Sequence, residues 1–345
     1  MRSLEKILTA YDYPFPKEAI AQEPASPRDH ARMLVYDRKK NLVFHDTFLN
    51  IDAYIPSHAL LVLNKTKVVP ARLRLKKESG GIATITYTEM VGTTLQVLSN
   101  KKLSIGSRLR LTKTLYFTVV SQKEKYYFLT PSFPHKKLFS VFERYGTMPI
   151  PPYIKRCPLS QRQLKEKYQT VFAKKEGSVA APTASLHITK RIIKKLKEKG
   201  IVIAYITLHV GLGTFAPLTK KDIATNTLHH EWYDIDKKTA RLISSFLRKK
   251  RPIIAVGTTV TRALESAFDV KGRAIQLSGE TNLFIHDAYG FKIMKGLITN
   301  FHVPQSSLLM LVASFVGRKK LLSLYAQALK QHYRFFSFGD GMLIL

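Results

Sequence analysis

Residues 189–214 read TKRIIKKLKEKGIVIAYITLHVGLGT, and few architectures admit such a string. Over residues 189–199, Ile192, Ile193 and Leu196 fall on one face and Lys and Arg on the other, which predicts an amphipathic helix stopped by Gly200. Residues 201–208 are apolar and largely β-branched, the pattern of a strand covered on both faces. A helix handing over to a doubly covered strand belongs to an α/β sheet. At the strand's carboxyl end, His209-Val210-Gly211-Leu212-Gly213-Thr214 forms a flexible turn of the kind at which open α/β sheets place ligands. It lacks the third glycine of G-x-G-x-x-G, so it is weaker than a dinucleotide fingerprint. Just upstream, Ser178, Ala180, Ala181, Ala184 and Ser185 surround Pro182 and Thr183. Side chains this short let a backbone come close to a ligand.

The rest of the chain sorts around this unit. Residues 16–21 predict a short helix opened by proline. Residues 26–30 predict a turn, and RMLVYDR and NLVFHDTF a hairpin joined at Lys39-Lys40. Residues 59–64 predict a short buried strand. From Leu73 to about Tyr145 the text changes to short alternating stretches separated by Gly80-Gly81, Gly92, Gly106 and Pro131, which predicts a small all-β barrel. A β module between two α/β stretches is most simply an insertion. The expected organisation is a mostly parallel-sheet α/β domain from residues 1–71 and 152–345, carrying a β-barrel at 72–151.

Helical periodicity resumes after Pro158, with Ser160 and Gln163 as a capping box. Residues 231–235 predict a strand and 237–247 a helix with Ala240, Ile243 and Leu247 inward. PIIAVG then predicts a buried strand that runs into Thr258-Thr259 and a helix over 260–268. Those hydroxyls read as the helix cap, and a capped start leaves amides pointing outward as an anion seat. Residues 297–302 end another strand, and 304–316 and 319–330 predict two more helices.

Composition narrows the function. Lys+Arg number 56 against 24 Asp+Glu, a formal net charge of +32 in 345 residues. That excess favours a polyanionic partner such as nucleic acid, or else reflects a generally basic proteome. The one cysteine, Cys157, makes no internal disulfide and no cysteine metal site. No apolar run approaches the roughly 20 residues of a membrane span. The first residues lack a signal peptide's apolar core, so a cytoplasmic location is expected.

No nucleophile elbow, Walker loop or H-E-x-x-H occurs. His229-His230-Glu231 comes nearest to a metal pattern, but no later His or Cys completes a zinc site, and no metal is expected. His187, His209, His229 and His302 each fall at or near the end of an expected element. Taken singly, each reads as a hydrogen-bonded structural histidine; together, at strand ends that converge on one crevice, they are catalytic candidates. Glu231 is the leading carboxylate base, ahead of Glu280 and Asp340. Tyr168, Trp232 and Tyr233 suit either a core or a face turned to a cationic ligand. Arg28, Arg32, Arg72, Lys155 and Arg156 flank loops and are candidates for phosphate contact.

The stretches AQEPASPRDHARMLVYDR, LVLNKTKVVPARL, YGTMPIPPYI, YQTVFAKKEGSVAAPTASLH, LHVGLGTF, HHEWY, AVGTTVTRALES, GLITNFHVPQSSLLMLVASFVG and YRFFSFGDGMLI closely resemble the S-adenosylmethionine:tRNA ribosyltransferase-isomerase family of queuosine biosynthesis. The likeness runs nearly end to end and in order, and only the barrel is weakly matched. It implies an α/β domain with an inserted barrel and a monomeric cytoplasmic enzyme that needs no metal. It implies the reaction as well: the ribosyl part of S-adenosylmethionine moves to 7-aminomethyl-7-deazaguanine at a tRNA wobble position, epoxyqueuosine forms, and adenine and methionine leave. S-adenosylmethionine is then a consumed substrate rather than a cofactor.

In that chemistry the sulfonium acidifies the adjacent 5′ carbon, a base removes a proton there, and an acid assists loss of adenine. Glu231, His209 or His229 is expected as base, and His187 or His302 as acid. Tyr168, Pro182, Thr183, Gly211, Gly213, Thr214, Thr258, Thr259 and Asn300 are expected to contact S-adenosylmethionine or the nucleobase. Four positions depart from the family pattern: Lys65 for aspartate, Glu280 for tryptophan, Asn282 for aspartate and Gly341 for alanine. Lys65 and Asn282 each remove an acid. A non-catalytic RNA-binding protein is the alternative, and an S-adenosylmethionine-dependent methyltransferase is disfavoured because the chain lacks the expected glycine-rich strand-to-helix turn.

Overall fold

The computed structural model describes residues 4–345, with Phe215 represented by its main chain alone. In chain order the strands are β1 (Arg32–Asp37), β2 (Leu42–Thr47), β3 (Leu60–Asn64), β4 (Thr66–Val68), β5 (Arg72–Lys77), β6 (Ile82–Val91), β7 (Thr94–Ser99), β8 (Arg108–Arg110) and β9 (Tyr116–Lys123). There follow β10 (Tyr126–Pro131), β11 (Lys175–Ser178), β12 (Val202–Leu208), β13 (Thr227–Asp234), β14 (Ile253–Val256), β15 (Ser278–Leu283), β16 (Gly296–Asn300) and β17 (Gly341–Ile344).

The large sheet has the order β15-β13-β12-β3-β14-β16-β17-β1-β2. Its middle, β12-β3-β14-β16, is parallel throughout. The flanking pairs β12-β13, β13-β15, β16-β17 and β1-β2 are antiparallel. The α/β layer is therefore a mixed sheet with a parallel centre. Residue type explains the split. Strands β3, β14 and β16 are buried at every position, as continuous apolar runs must be when both faces are covered. In contrast, β2 has only exposed and half-buried positions and forms the sheet's outer edge.

Between β4 and β11 the chain closes a six-stranded barrel, β10-β7-β6-β5-β8-β9. Period-2 alternation puts Leu73, Leu75, Ala83, Ile85, Leu95 and Val97 inside it, with polar neighbours outside. Thr147 returns to pair with Arg72: Thr147 N donates to Arg72 O at 2.9 Å, and Arg72 N to Thr147 O at 3.2 Å. The way in and the way out are thus hydrogen-bonded to each other.

The helix Lys190–Glu198 is capped by Thr189, whose hydroxyl accepts from Ile192 N, and it buries Ile192 and Leu196. Ser160 and Gln163 form the reciprocal capping box at the start of Gln161–Lys167. Two details differ from the sequence pattern. Helix Lys237–Arg248 buries Phe246 beside Ala240 and Ile243; Leu247 lies half-buried, where it closes over Gly272. Helix Thr258–Ala267 is not capped by a threonine. Its N-cap is Gly257, at φ 96, and no side chain accepts from the first turn.

The small-residue segment is the hub of the packing. Val179 joins the barrel core, Ala180 the core on one side of the large sheet, Ala181 a third cluster with Tyr168, and Ala184 the core on the sheet's other side. It is stitched to the glycine turn by Val179 N and Ala180 N donating to Val210 O at 3.0 and 3.2 Å, while Val210 N donates to Ser178 Oγ at 2.8 Å. Four cores meet within six residues only because these side chains are small enough to leave room.

Candidate active site

The parallel strands β12, β14 and β16 end together, and over their carboxyl ends lies a cavity of about 340 Å³. That is the place and size expected of a small-molecule site in an open α/β sheet. One wall is the strip from Ala181 to Ala184. A second is Gly257-Thr258-Thr259, where β14 turns into its helix. The third is Thr299 to Ser306 beyond β16, and Thr214, Leu218, Tyr153, Phe336 and Ser337 close the rim. Among the described residues no Asp, Glu, Lys or Arg side chain lines it.

Of the expected contacts, Pro182, Thr183, Thr214, Thr258, Thr259, Asn300 and His302 line the cavity. Thr183 Oγ1 donates to Asn300 Oδ1 at 2.8 Å, joining two walls. His302 pairs its Nε2 with Thr299 Oγ1 at 2.7 Å, and burial pushes its imidazole down to about 3, so it is neutral at physiological pH. Tyr153 and Ser337 join hydroxyls across the rim at 2.5 Å. Sequence reasoning passed over both, because neither lies in a local pattern that signals a site.

The other candidates stand outside the cavity. Tyr168 is wholly buried, edge-on to Phe338 at 5.6 Å, and is core. Tyr233 is core too, donating to Gln276 O at 3.0 Å. His187 stacks on Phe48 at 4.1 Å and lies 3.5 Å from Asn300 Nδ2, and burial holds it neutral, down to about 3. It supports the cavity wall from behind. His209 is bonded through Nδ1 to Thr66 Oγ1 at 2.8 Å and stacks on Trp232. Burial, with Lys175 nearby, lowers it to about 4. Gly211 and Gly213 are set back from the cavity. A Cβ on Gly213 would come within 2.4 Å of the His229 ring, so that glycine exists for close approach.

Glu231 is the main correction. It is not in the wall but behind it, almost fully buried. Its Oε1 accepts from Gly211 N at 3.1 Å and Thr214 Oγ1 at 3.0 Å, with His229 Nε2 at 3.5 Å. Its Oε2 accepts from the buried Arg262 guanidinium. Burial works to raise the carboxyl, but Arg262, His229 and the Gly211 amide outweigh it and hold Glu231 at about 2. A carboxylate so stabilised as an anion is a poor proton acceptor. What it does is fix the Gly211–Thr214 turn, and Thr214 is the one residue shared by this cluster and the cavity.

Arg262, which sequence reading did not single out, also donates to the carbonyls of Leu283 at 3.0 Å and Thr281 at 3.2 Å. The sequence hid it, because Arg262 falls on the helix face opposite Val260, Ala263, Leu264 and Ala267, where a charge is expected to be solvated, and the structure buries that face as well.

Arg28 and Arg32 each have donors engaged within the protein. Arg28 donates to Gln169 O and Glu166 O at 2.5 and 3.0 Å. Arg32 lies 4.0 Å over the Tyr333 ring and donates to Gln331 O. Arg72 is half-buried at the barrel's base, whereas Lys155 and Arg156 are exposed beside Tyr153 at the rim. None of the four departures from the family pattern lines the cavity. Lys65 pairs with Asp236 at 3.6 Å and Glu280 with His230 at 3.1 Å. Among the described residues no three His, Cys, Asp or Glu side chains converge as a metal set, and no helix is long and apolar enough to cross a membrane.

Known proteins match this architecture along its length. A family profile described as "Queuosine biosynthesis protein" covers residues 8–344. An S-adenosylmethionine:tRNA ribosyltransferase-isomerase from Sulfurihydrogenibium sp. is 43% identical over 98% of this chain and 99% of its own. One from Fusobacterium nucleatum is 41% identical over 99% and 98%. The crystal structure of an S-adenosylmethionine tRNA ribosyltransferase from Thermotoga maritima superposes with a TM-score of 0.56 at 33% identity, covering 97% of this chain and all of that one. With a profile spanning both the sheet and the barrel, and relatives above 40% identity from end to end, the chain belongs to the queuosine biosynthesis family.

Proposed function

We propose that the protein transfers and isomerises the ribosyl moiety of S-adenosylmethionine onto 7-aminomethyl-7-deazaguanine at the wobble position of tRNA, giving epoxyqueuosine-tRNA and releasing adenine and methionine. The observation that carries this reading is the cavity. It is of ligand size, sits at the carboxyl ends of parallel strands, and offers hydroxyls, an amide, a neutral imidazole and aromatic rings. Aromatic faces suit a sulfonium cation without forming a salt. Of the five candidates for proton transfer, His302 is the one in the wall, and on that position rather than on basicity we assign it removal of the 5′ proton; its imidazole, at about 3, is nearly as weak a base as Glu231 at about 2. His187, His209, His229 and Glu231 then hold the walls in place.

On this reading S-adenosylmethionine is consumed, no metal is needed, and the enzyme works as a cytoplasmic monomer. The tRNA is drawn in by the net charge of +32, with Lys155 and Arg156 at the rim as phosphate contacts. The target base leaves its stack to reach the cavity.

Product analysis on tRNA carrying the deazaguanine base tests the reading. Adenine and methionine in equal amounts are expected. Binding without products indicates an RNA-binding protein, and S-adenosylhomocysteine a methyltransferase. His302→Asn should abolish turnover, and Glu231→Gln should leave more of it; the reverse order would return the base role to Glu231.

A further inference from the structure

Cations are unevenly spread over the barrel. On β5 the inward positions are Leu73 and Leu75, so alternation turns Arg72, Arg74 and Lys76 outward. Strand β8 repeats the pattern, with Leu109 inside and Arg108 and Arg110 out. The two strands are neighbours, and their register sets Lys76 directly opposite Arg110. By contrast β6, β7 and β10 contain no lysine or arginine, and β9 has one, at its last position. A chain that scattered basic residues over every surface would not leave three of the six barrel strands bare.

Packing does not account for this face. Like charges directly opposite on neighbouring strands destabilise a sheet, and among the described residues none of the five cations forms an ion pair. Neither strand carries an acid. Glu78, just past β5, borders the face, its Oε2 accepting from Arg108 N at 3.1 Å. Arg108 lies 5.0 Å over the Tyr116 ring, which steadies the guanidinium without neutralising it. Uncompensated cations of this kind hold anions from solution, and a polyanion that displaces them gains affinity.

The foot of the row is tied to the cavity rim. Arg72 is hydrogen-bonded in both directions to Thr147. From Thr147 to Tyr153 at the rim is six residues of chain, a span of at most about 22 Å. Arg74 and Lys76 then continue along β5, at a same-face repeat of about 6.6 Å. An RNA that places one base in the cavity has its flanking strand within reach of them.

We infer that the β5–β8 face of the barrel docks the tRNA backbone. Phosphates of the arm that carries the target base lie along Arg72, Arg74 and Lys76, with Arg108 and Arg110 beside them. The inference rests on the reading that tRNA is the substrate, and it goes further by giving the grip to the inserted module rather than to the sheet. Contacts of this type position the RNA and read no sequence.

The test measures binding of the intact protein to tRNA carrying the deazaguanine base, by fluorescence anisotropy across a salt series. The triple variant Arg74→Gln, Lys76→Gln, Arg110→Gln should weaken tRNA about 30-fold or more at low salt and flatten the slope of log K against log salt by about 2 to 3. A charge-matched control, Lys190→Gln, Lys194→Gln, Lys197→Gln on the exposed side of the helix Lys190–Glu198, should cost less than about threefold. Arg74→Lys with Arg110→Lys should keep most of the affinity, since the contact needs the charge. Thermal melts show whether the triples fold; should the barrel triple not, Arg74→Gln and Arg110→Gln singly should each cost about fivefold. Equal losses in the two triples, or no loss in either, would place the grip elsewhere and overturn the inference, while release of adenine and methionine by the wild type would keep the tRNA reading. Wild-type protein that does not bind tRNA would overturn both, and phosphatidylglycerol vesicles bound through the same residues would then assign the face to a lipid surface.

Discussion

The cavity and the cluster behind it lie on either side of one short turn, and they treat charge in opposite ways. On the cavity side the walls are neutral: threonines, Asn300, an unprotonated His302 and aromatic rings. On the far side the Glu231 carboxylate and the Arg262 guanidinium are buried against each other with His229 alongside. Thr214 reaches both. The contrast teaches that this fold spends its fixed charges on holding shape and leaves the binding space free of them.

The comparison breaks most severely at Arg262. Arg262→Met leaves Glu231 buried and unpaired, and should cost about 3–5 kcal/mol in urea unfolding. Adding Glu231→Gln should recover part of that loss, a coupling of about 0.5–3 kcal/mol. A single-variant loss below about 1 kcal/mol would mean that the pair does not hold the turn.

Acid comes next. His187 titrates at about 3 when folded and near 6.5 when unfolded. Between those values the unfolded chain binds the extra proton. Stability should therefore fall as pH drops below about 6.5, by about 1.4 kcal/mol per pH unit for this residue. His187→Asn should flatten the slope by about one proton. Glu231, held at about 2, adds its own loss only below about 4.5, so the His187 contribution stands apart from it between about pH 6.5 and 4.5.

The two glycines of the turn sharpen the contrast. A methyl group on Gly213 would meet His229 at 2.4 Å, whereas on Gly211 its nearest neighbour is 4.0 Å away. Gly213→Ala should cost about 1–3 kcal/mol and Gly211→Ala less than about 0.5 kcal/mol. Equal losses in thermal melts would refute the close-approach account. The cavity wall should respond modestly: Thr183→Val removes the bond to Asn300 and should cost about 1 kcal/mol. It should weaken S-adenosylmethionine binding about fivefold, measured by calorimetry.

Much of this was legible in the sequence, for identifiable reasons. The largely apolar runs of β3, β12 and β14 announced a covered sheet centre, and the period-2 stretches after Leu73 announced the barrel. Thr183, Thr258, Thr259, Asn300 and His302 line the cavity because they sit at element ends, where the strands deliver residues to it. Chemistry-bearing residue type misled in the other direction. Glu231 and His187 looked reactive from composition, yet burial and partners decide what a titratable group does, and both are set by chain segments far away in sequence. Arg262 is 31 residues from Glu231. Sequence spacing carried no trace of that contact, nor of the switch from Thr258 to Gly257 at the helix start, which is a matter of backbone angle.

One last feature is the paired junction at Arg72 and Thr147, where the barrel leaves the sheet and returns to it. A guest module tied off at its own doorway can change length at its hairpin tips, around Gly80-Gly81 or Gly92, without shifting the register of any host strand. The barrel's outline is then able to vary while the sheet and its cavity stay as they were.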